Sequence, residues 1–551
     1  MHRFARANTM TLSRPTNNLV TPLLTDLYQI TMGYAYWKTN THMQPASFEL
    51  FFRKNPFKGS FTIFCGIDEV LKFVSNYKFS EKDISYLKTI PALKECEEEF
   101  FTFLANLDCS EVKIQAVPQG SVVFPRVPLL TVSGPLLICQ LLETTLLNLV
   151  NFSSLVATNA ARMAIAARGQ YGEKRVYGKV PKLAEFGLRR AQGPDGGVTA
   201  SKYCMIGGFD AVANVIAGQL TGVPVIGTHA HSFVMSFESL DEVKDLKVQM
   251  KGSKEMKILL KLVLIYRNQT GWKDTNDGEL AAFVAYGVAH PDSFLCLIDT
   301  YNTIESGVKN FMLVALALND CGYISRGVRL DSGDLAGLSI QCHEEFEKVA
   351  EKFNRPWLKD CDVVASNDIN ENTLNELNDK GHGITSFGIG TNLVTCQAQP
   401  ALGCVFKLVE LNGKPRIKLS NEIIKVLIPG QKRAFRLFNK DGAPQLDLMI
   451  RKDEAPPKSG HEVKYCDPFK KNSTMTVNPS RVEEILQTVW NGSDAAEVPN
   501  LNEARETCIK GIKSLDSGLV RRDNPSCYEV CVSEMLQGDL HRLWESHRGQ
   551  K

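Results

Sequence analysis

Short runs of apolar residues in the middle of the chain end in a small or polar residue and then give way to helical patterns. They are Ile226-Gly227-Thr228, Leu297-Ile298-Asp299, Val328-Arg329-Leu330-Asp331, Val363-Val364-Ala365-Ser366 and Phe387-Gly388-Ile389-Gly390. Because these runs are continuously apolar, they indicate strands covered on both faces, as in a parallel α/β sheet. A TIM-like barrel and a doubly wound sheet both fit, and either puts the polar strand ends on one rim where ligands bind.

The segments on either side of this middle part have a different texture. Residues 112–134 and those after Val405 read as short strands separated by turns, with Asn412-Gly413 and Asp441-Gly442 typical of tight hairpins. We therefore predict one discontinuous α+β domain, built from residues 21–150 and 401–551, around an α/β domain at 151–400. Residues 1–20 are predicted to be a flexible extension.

Two apolar stretches are interpreted as ordinary helices. Residues 238–280 look like an insertion, in which Lys254–Asn268 predicts an amphipathic helix with a solvated lysine face. Gly134–Val150 is interrupted by polar residues, so a core helix is favoured over a membrane span.

Composition excludes some classes of partner. The chain has 63 Lys and Arg against 61 Asp and Glu, a formal charge of +2, with no long block of either sign. Neither a nucleic acid nor a membrane is indicated as a partner. The 15 cysteines are scattered singly, which is typical of a reducing compartment such as the cytosol.

Three motifs at the strand ends admit both a structural and a functional interpretation. Gly388, Gly390 and Thr391 could cradle a phosphate or form a tight turn. Arg329 to Asp334 could hold hydroxyls and an anion or ring, or form a surface turn. Ser366 and Asn367 suit helix capping, although they share the predicted rim.

Two further motifs suggest a ligand. Phe186 is followed by Arg189 in a glycine-rich stretch, and an aromatic face beside a guanidinium suits a flat aromatic carboxylate. His229 and His231 leave three alternatives open. They could chelate a metal, one could be a nucleophile that accepts a phosphoryl group, or both could be hydrogen-bonded rim residues.

Taken together and in order, the motifs resemble the eukaryotic nicotinate phosphoribosyltransferase family. The matching segments are Pro22–Gln29, Phe48–Arg53, Ser153–Arg162, Gly187–Gly197, Gly207–Asp210, Ala230–Phe233, Arg329–Asp334 and Gly388–Thr391. The resemblance implies an irregular TIM-like α/β barrel with a second, discontinuous α+β domain. It also implies a cytosolic homodimer with the active site at the subunit interface, which joins nicotinate to 5-phosphoribosyl 1-diphosphate while ATP is hydrolysed. Mg²⁺, or Mn²⁺, is the expected metal.

The resemblance also assigns roles by position. His231 is expected to be phosphorylated transiently, with Asp331 at the ribose hydroxyls and Asp299 positioning Mg²⁺-bound groups; both carboxylates are indirect metal candidates. The residues expected at nicotinate are Tyr28 from the neighbouring subunit, Phe186, Arg189, Asp210, Thr228 and Arg329. Those expected at the phosphoribosyl group are Ser366, Asn367, Gly388, Gly390 and Thr391. His229 stands where relatives can have an apolar residue, which argues against obligate metal chelation.

Two rival functions stay open. A metal-dependent amidohydrolase would need more rim histidines, for which His290 and His382 are the candidates in the central segment that we consider. A nucleotide-sensing relative would bind without turnover. Within the favoured family, nicotinamide is the competing substrate, because Asp210 could hold an amide.

Overall fold

The computed structural model describes residues 13–420, 422–470 and 473–548; residues 1–12 of the predicted extension lie outside the described residues. Within the described part, the chain divides into two compact units. The first unit comprises the residues up to Ala161, Tyr203–Gly208 and the residues from Ala398 onward. The second comprises Arg162–Lys202 and Phe209–Gln397.

The helices and strands are numbered in chain order. The α-helices are α1 Leu27–Lys38, α2 Ile67–Ser75, α3 Glu81–Leu87, α4 Glu98–Asn106, α5 Leu136–Leu141, α6 Glu143–Arg168, α7 Gly193–Ile206, α8 Val215–Thr221, α9 His231–Met235, α10 Leu259–Thr270, α11 Asp277–Ala289, α12 Val308–Asp320, α13 Leu335–Lys352, α14 Glu371–Lys380, α15 Thr391–Thr395, α16 Leu501–Ser514 and α17 Glu534–Arg548. The strands are β1 Pro45–Phe52, β2 Thr62–Ile63, β3 Lys113–Ala116, β4 Val122–Val123, β5 Leu130–Pro135, β6 Lys182–Glu185, β7 Ala211–Val212, β8 Lys247–Gln249, β9 Met256–Ile258, β10 Leu295–Leu297, β11 Gly327–Leu330, β12 Asp362–Ala365, β13 Ser386–Ile389, β14 Cys404–Leu411, β15 Lys414–Pro415, β16 Lys432–Phe438, β17 Pro444–Arg451, β18 Val463–Tyr465, β19 Met475–Val477, β20 Arg481–Glu484, β21 Gln487–Asn491 and β22 Glu529–Val532.

The second unit contains the parallel sheet that the continuous apolar runs predict. Its strand order is β10-β11-β12-β13-β6-β7, and every neighbouring pair is parallel. The inward apolar residues of β11 and β12 have no measurable exposure, because helices cover the sheet. Among the described residues the strand ladder has two edges, β10 and β7, so a closed barrel is not confirmed.

The first unit is built around mainly antiparallel sheets, in which β17 and β22 pair parallel. β1 pairs with β14, and β3 pairs with β21, so strands from before and after the middle segment share one six-stranded sheet. The predicted hairpin at Asn412-Gly413 joins β14 to β15, and both residues have positive φ, as a tight two-residue turn requires. The hairpin at Asp441-Gly442 joins β16 to β17.

The predicted helix Lys254–Asn268 is wrong over its first five residues. The last three of those residues form β9, which pairs antiparallel with β8, and α10 begins only at Leu259. Backbone pairing with β8 therefore outweighs the helical spacing of Lys254, Lys257 and Lys261, of which Lys261 alone lies in the helix.

Residues Leu136–Arg168, which contain α5 and α6, are the one helical stretch of the described residues that is long and apolar enough to cross a membrane. This criterion uses length and composition only. Of its most apolar window, 61% is buried inside the fold. A core helix passes the same test, so the core helix drawn from the sequence stays a prediction.

A buried ion pair joins two strands of the first unit. Lys432 Nζ lies 2.9 Å from Glu49 Oε2, and both side chains are at most 2% exposed. The ammonium also donates to the carbonyl oxygens of Ile428 and Gly430, both at 2.8 Å. Burial lowers the pKa of Lys432 and raises that of Glu49, so each charge depends on the other.

We expect Lys432→Met to lower the free energy of unfolding by about 3–5 kcal/mol, because it leaves the Glu49 carboxylate buried without its counter-charge. The double variant Glu49→Met/Lys432→Met should recover much of that loss. Urea unfolding of the three proteins measures the difference. A double variant as unstable as Lys432→Met alone would contradict this account.

Candidate functional site

The candidate site lies where five strands of the parallel sheet end. Asp299, Asp331, Ser366, Gly390 and Phe186 follow β10, β11, β12, β13 and β6 respectively. Since the strands are parallel and in register, their carboxyl ends meet at one edge of the sheet. We call this the carboxyl edge.

A chain of hydrogen bonds links two of these strand ends, those of β11 and β12, with Thr228. Arg329 Nε donates to Ser366 Oγ at 2.7 Å, and Ser366 Oγ donates to Asp331 Oδ1 at 2.7 Å. Arg329 Nη1 also donates to Thr228 Oγ1 at 3.3 Å. The guanidinium is thereby fixed in one orientation, and Ser366 bonds a side chain of the site rather than capping a helix.

Asp299 has one engaged and one unengaged oxygen. Its Oδ2 accepts from the Asp331 backbone N–H at 2.7 Å and from Ser332 Oγ at 2.6 Å. Its Oδ1 is buried and has no hydrogen-bond partner among the described residues. A buried carboxylate oxygen without a donor costs free energy unless a cation or proton donor approaches it.

His231 is the first residue of α9 and stands over this carboxylate. Its Nδ1 lies 3.0 Å from Thr300 Oγ1. Its Nε2 lies 4.0 Å from Asp299 Oδ1 and 3.8 Å from Asp331 Oδ2. The side chain is 39% exposed, so an incoming group can reach Nε2.

Phe186 and Arg329 form the aromatic part of the site. The Arg329 guanidinium carbon lies 5.4 Å from the centre of the Phe186 ring. A Cβ added at Gly388 would stand 2.4 Å from Cδ2 of that ring and 2.5 Å from Cε2. Gly388 therefore makes room for the ring, a role that the glycine-rich pattern did not suggest.

The turn after β13 is compact for a similar reason. Gly390 precedes the short helix α15, which begins at Thr391. A Cβ added at Gly187 would stand 2.8 Å from the Gly390 carbonyl oxygen and 2.5 Å from Val394. The chains after β6 and β13 thus approach each other closely at the carboxyl edge.

His229 is buried beside the site, and its ring lies against Phe233, Phe283 and Tyr286. Its Nε2 accepts from the backbone N–H of Leu297 at 3.3 Å. Burial, followed by the nearby charges of Arg329 and His231, lowers the pKa of His229 to about 4. The ring is therefore neutral at pH 7.

A buried polar cluster supports the segment that carries Asp299 and Thr300. Glu279 Oε2 accepts from Ser306 Oγ at 2.6 Å and from Asn310 Nδ2 at 3.0 Å. Ser306 belongs to the π-helical turn Thr303–Gly307, which begins shortly after Thr300. Burial, with a smaller contribution from the Asp299 charge, raises the pKa of Glu279 to about 7.

Four residues predicted for the site are not brought into this network. Asp210 precedes β7 and pairs with Arg168 and the Leu183 backbone N–H, which puts it toward the amino ends of the strands. Arg189 and Asn367 are exposed, and no contact connects either to the bonded residues. Tyr28 belongs to α1 of the first unit and is 48% exposed.

Two residues of the network were missed from the sequence. Thr300 holds His231, and Ser332 donates to Asp299. Both directly follow a predicted site aspartate, and this adjacency at a strand end was the available signal.

The amidohydrolase alternative gains no support from the two candidates His290 and His382. His382 Nδ1 accepts from the Ile384 N–H and its Nε2 donates to Asn378 Oδ1, and the His290 ring packs on Tyr286. Within the ranges that the structure describes, no group of three or more His, Cys, Asp or Glu residues is arranged to hold a metal ion.

Three family models match successive parts of the chain. They are the nicotinate phosphoribosyltransferase (NAPRTase) N-terminal domain at residues 23–151, the nicotinate phosphoribosyltransferase (NAPRTase) family at 181–440, and the nicotinate phosphoribosyltransferase C-terminal domain at 431–540.

Relatives and solved structures agree with these matches. A nicotinate phosphoribosyltransferase of Caenorhabditis elegans is 50% identical over 539 residues, which cover 96% of this chain and 94% of the relative. The crystal structure of human nicotinic acid phosphoribosyltransferase is 40% identical with a TM-score of 0.84, and covers 94% of this chain and 99% of that one. A nicotinate-nucleotide pyrophosphorylase from Pyrococcus furiosus is 19% identical with a TM-score of 0.57, over 93% of this chain and 99% of that one, and so shares the fold.

The buried Glu279 should make stability depend on pH. In the unfolded chain its carboxyl ionises near pH 4.3, but in the folded chain only near pH 7, so its stabilising contribution is lost as the pH rises through that window. Glu279→Gln, which stays neutral, should therefore gain stability over the wild type between pH 5 and pH 8, by at most about 3 kcal/mol. Thermal unfolding at both pH values measures this gain. A difference independent of pH would contradict it.

Proposed function

Because the chain belongs to the nicotinate phosphoribosyltransferase family, we propose that it couples ATP hydrolysis to phosphoribosyl transfer through transient phosphorylation of His231. The substrates are nicotinate and 5-phosphoribosyl 1-diphosphate, and the products are nicotinate mononucleotide and diphosphate. This is the first step of NAD synthesis from nicotinic acid. The observation that carries the proposal is the setting of His231, with Nδ1 held by Thr300 and Nε2 directed at two carboxylates.

The setting of His231 suits a nucleophile. If Nδ1–H donates to Thr300 Oγ1, the lone pair is left on Nε2. Nε2 attacks the γ-phosphorus of ATP, an N–P bond forms, the bond to the bridging oxygen breaks, and ADP leaves with that electron pair. Water later hydrolyses the phosphohistidine to phosphate, and the imidazole regains its lone pair.

The carboxylates near His231 fit a magnesium ion. Asp299 Oδ1 is buried without a donor, and Asp331 Oδ2 opens toward the same ring nitrogen. Carboxylate oxygens are the ligands that Mg²⁺ prefers, and Mn²⁺ accepts the same set. When bound, the metal would neutralise phosphate charge and favour departure of diphosphate.

Transfer to nicotinate needs positioning more than proton transfer, because diphosphate is a good leaving group. Its departure leaves an oxocarbenium-like anomeric carbon, which the pyridine nitrogen attacks. Asp331 would hold the ribose hydroxyls in this arrangement. Gly390 and Thr391, with Gly388, Ser366 and Asn367, would hold the 5′-phosphate by backbone N–H groups and hydroxyls.

The nicotinate ring would stack on Phe186, with the partner subunit's Tyr28 on its other face in a homodimer whose active site lies at the subunit interface. The positive groups for its carboxylate are Arg329 and Arg189, with Thr228 beside Arg329. Arg189 has no ion-pair partner among the described residues, which favours the acid over nicotinamide as substrate. Asp210 is a weaker candidate, because its carboxylate already pairs with Arg168.

The remaining proposals concern the fold, the cellular compartment and the classes of partner. The parallel sheet of the second unit supports an irregular TIM-like barrel, although its strand ladder alone does not close. All fifteen cysteines are free thiols, which supports a cytosolic protein. Neither a nucleic acid nor a membrane is proposed as a partner.

We expect His231→Ala to abolish the stimulation of nicotinate mononucleotide formation by ATP, because no acceptor for the phosphoryl group remains. ATP-independent transfer should persist, since the residues that hold the ring and the ribose are intact. Chromatography of reactions with and without ATP, beside matched nicotinamide reactions, measures this. Undiminished stimulation in the variant would refute the phosphohistidine, and product from nicotinamide alone would refute the choice of substrate.

We expect Gly388→Ala to raise the KM for nicotinate by about tenfold or more, because its Cβ would displace the Phe186 ring. Initial rates at varied nicotinate and varied 5-phosphoribosyl 1-diphosphate separate this role from phosphate binding. Gly538→Ala is the matched control, since its Cβ would meet nothing within 4 Å. An increase in KM for the phosphoribosyl donor alone would assign Gly388 to the phosphate instead.

A further inference from the structure

β10 is an edge strand of the parallel sheet, so the N–H groups on its outer side have no strand partner among the described residues. Ile298 N–H donates to the Arg329 carbonyl of β11, so the alternation of the strand turns the Leu297 N–H to the other, open side. That N–H lies at the edge of the sheet in a buried position. It is satisfied by His229 Nε2 at 3.3 Å.

The segment that contains His229, residues 224–229, is attached to the opposite edge of the sheet by its backbone. Val212 N–H of β7 donates to the Pro224 carbonyl, and Ile226 N–H donates to the Val212 carbonyl, both at 2.9 Å. Val212 and Val225 form a parallel bridge. Residues 224–229 therefore span the gap between β7 and β10, with backbone bonds on one side and a side-chain bond on the other.

The imidazole is well suited to this bond. Three aromatic rings surround it, with ring centres 4.8 to 6.1 Å away, so its orientation is limited by packing. Burial keeps the pKa of His229 near 4, so Nε2 has a lone pair to accept with at neutral pH. An apolar side chain here would leave the Leu297 N–H buried without an acceptor.

We propose that His229 is a positioning residue, whose hydrogen bond from Leu297 fixes His231 relative to Thr300 and Asp299. The bond joins residues 229 and 297. His231 lies two positions after residue 229, and Asp299 lies two positions after residue 297. It therefore sets the register between the segment that carries the phosphate acceptor and the strand that carries its carboxylate. The inference rests on the proposed phosphorylation of His231, although the bond itself does not.

The test compares His229→Gln with His229→Asn. The Gln side-chain oxygen stands as many bonds from the backbone as Nε2 does, so it can accept from Leu297, whereas the shorter Asn side chain cannot. Two readouts are measured on the full chain. One is hydrogen exchange of the peptide containing Leu297, and the other is ATP stimulation of product formation with acid-labile phosphate on His231.

We expect His229→Asn to raise exchange at Leu297 and to lower ATP stimulation, each at least about fivefold, with ATP-independent transfer retained. His229→Gln should stay within about twofold of the wild type in both. Equal behaviour of the two variants, or unchanged exchange in His229→Asn, would overturn the inference. If the wild type itself shows no ATP stimulation, the proposed coupling fails, and the exchange comparison still decides whether His229 holds β10.

Discussion

The site depends on the carboxylate of Asp299, because its two oxygens do different things. Oδ2 accepts from the Asp331 N–H and from Ser332, and so joins the ends of β10 and β11. Oδ1, buried and without a donor, faces His231 Nε2 at 4.0 Å. The structural bonds of one oxygen thus fix the direction of the other, and a buried carboxylate oxygen without a donor is stabilised by an approaching cation.

Close backbone packing behind Asp299 keeps this arrangement rigid. A Cβ added at Gly307 would stand 1.9 Å from the Ile298 carbonyl oxygen, so the π-helical turn can rest on β10 only with glycine there. Ser306 of that turn is held in turn by Glu279. The segment between Asp299 and Gly307 is therefore fixed at both ends, and Thr300, which contacts His231, lies within it.

The sequence predicted the parallel sheet and the strand-end position of the site, because both follow from short apolar runs with polar ends. It did not predict the network itself. Ser366 was interpreted as a helix cap or a phosphoribosyl contact and Gly388 as part of a phosphate turn, and Thr300 received no role. These roles depend on contacts between separate strand ends, which no local pattern encodes. The helix predicted from Lys254 failed for a similar reason, since pairing of β9 with β8 is a contact with another segment.

The two histidines that one alanine separates differ because their ring nitrogens meet different partners. In His229 the lone pair of Nε2 is already used by the Leu297 N–H, inside an aromatic enclosure that disfavours a charge. In His231 the Thr300 hydroxyl lies at Nδ1, and Nε2 stays accessible beside two carboxylates. A chelated metal would need a lone pair from both rings, and only one ring has it to give. The pair is therefore better explained as one residue that holds the backbone and one that reacts.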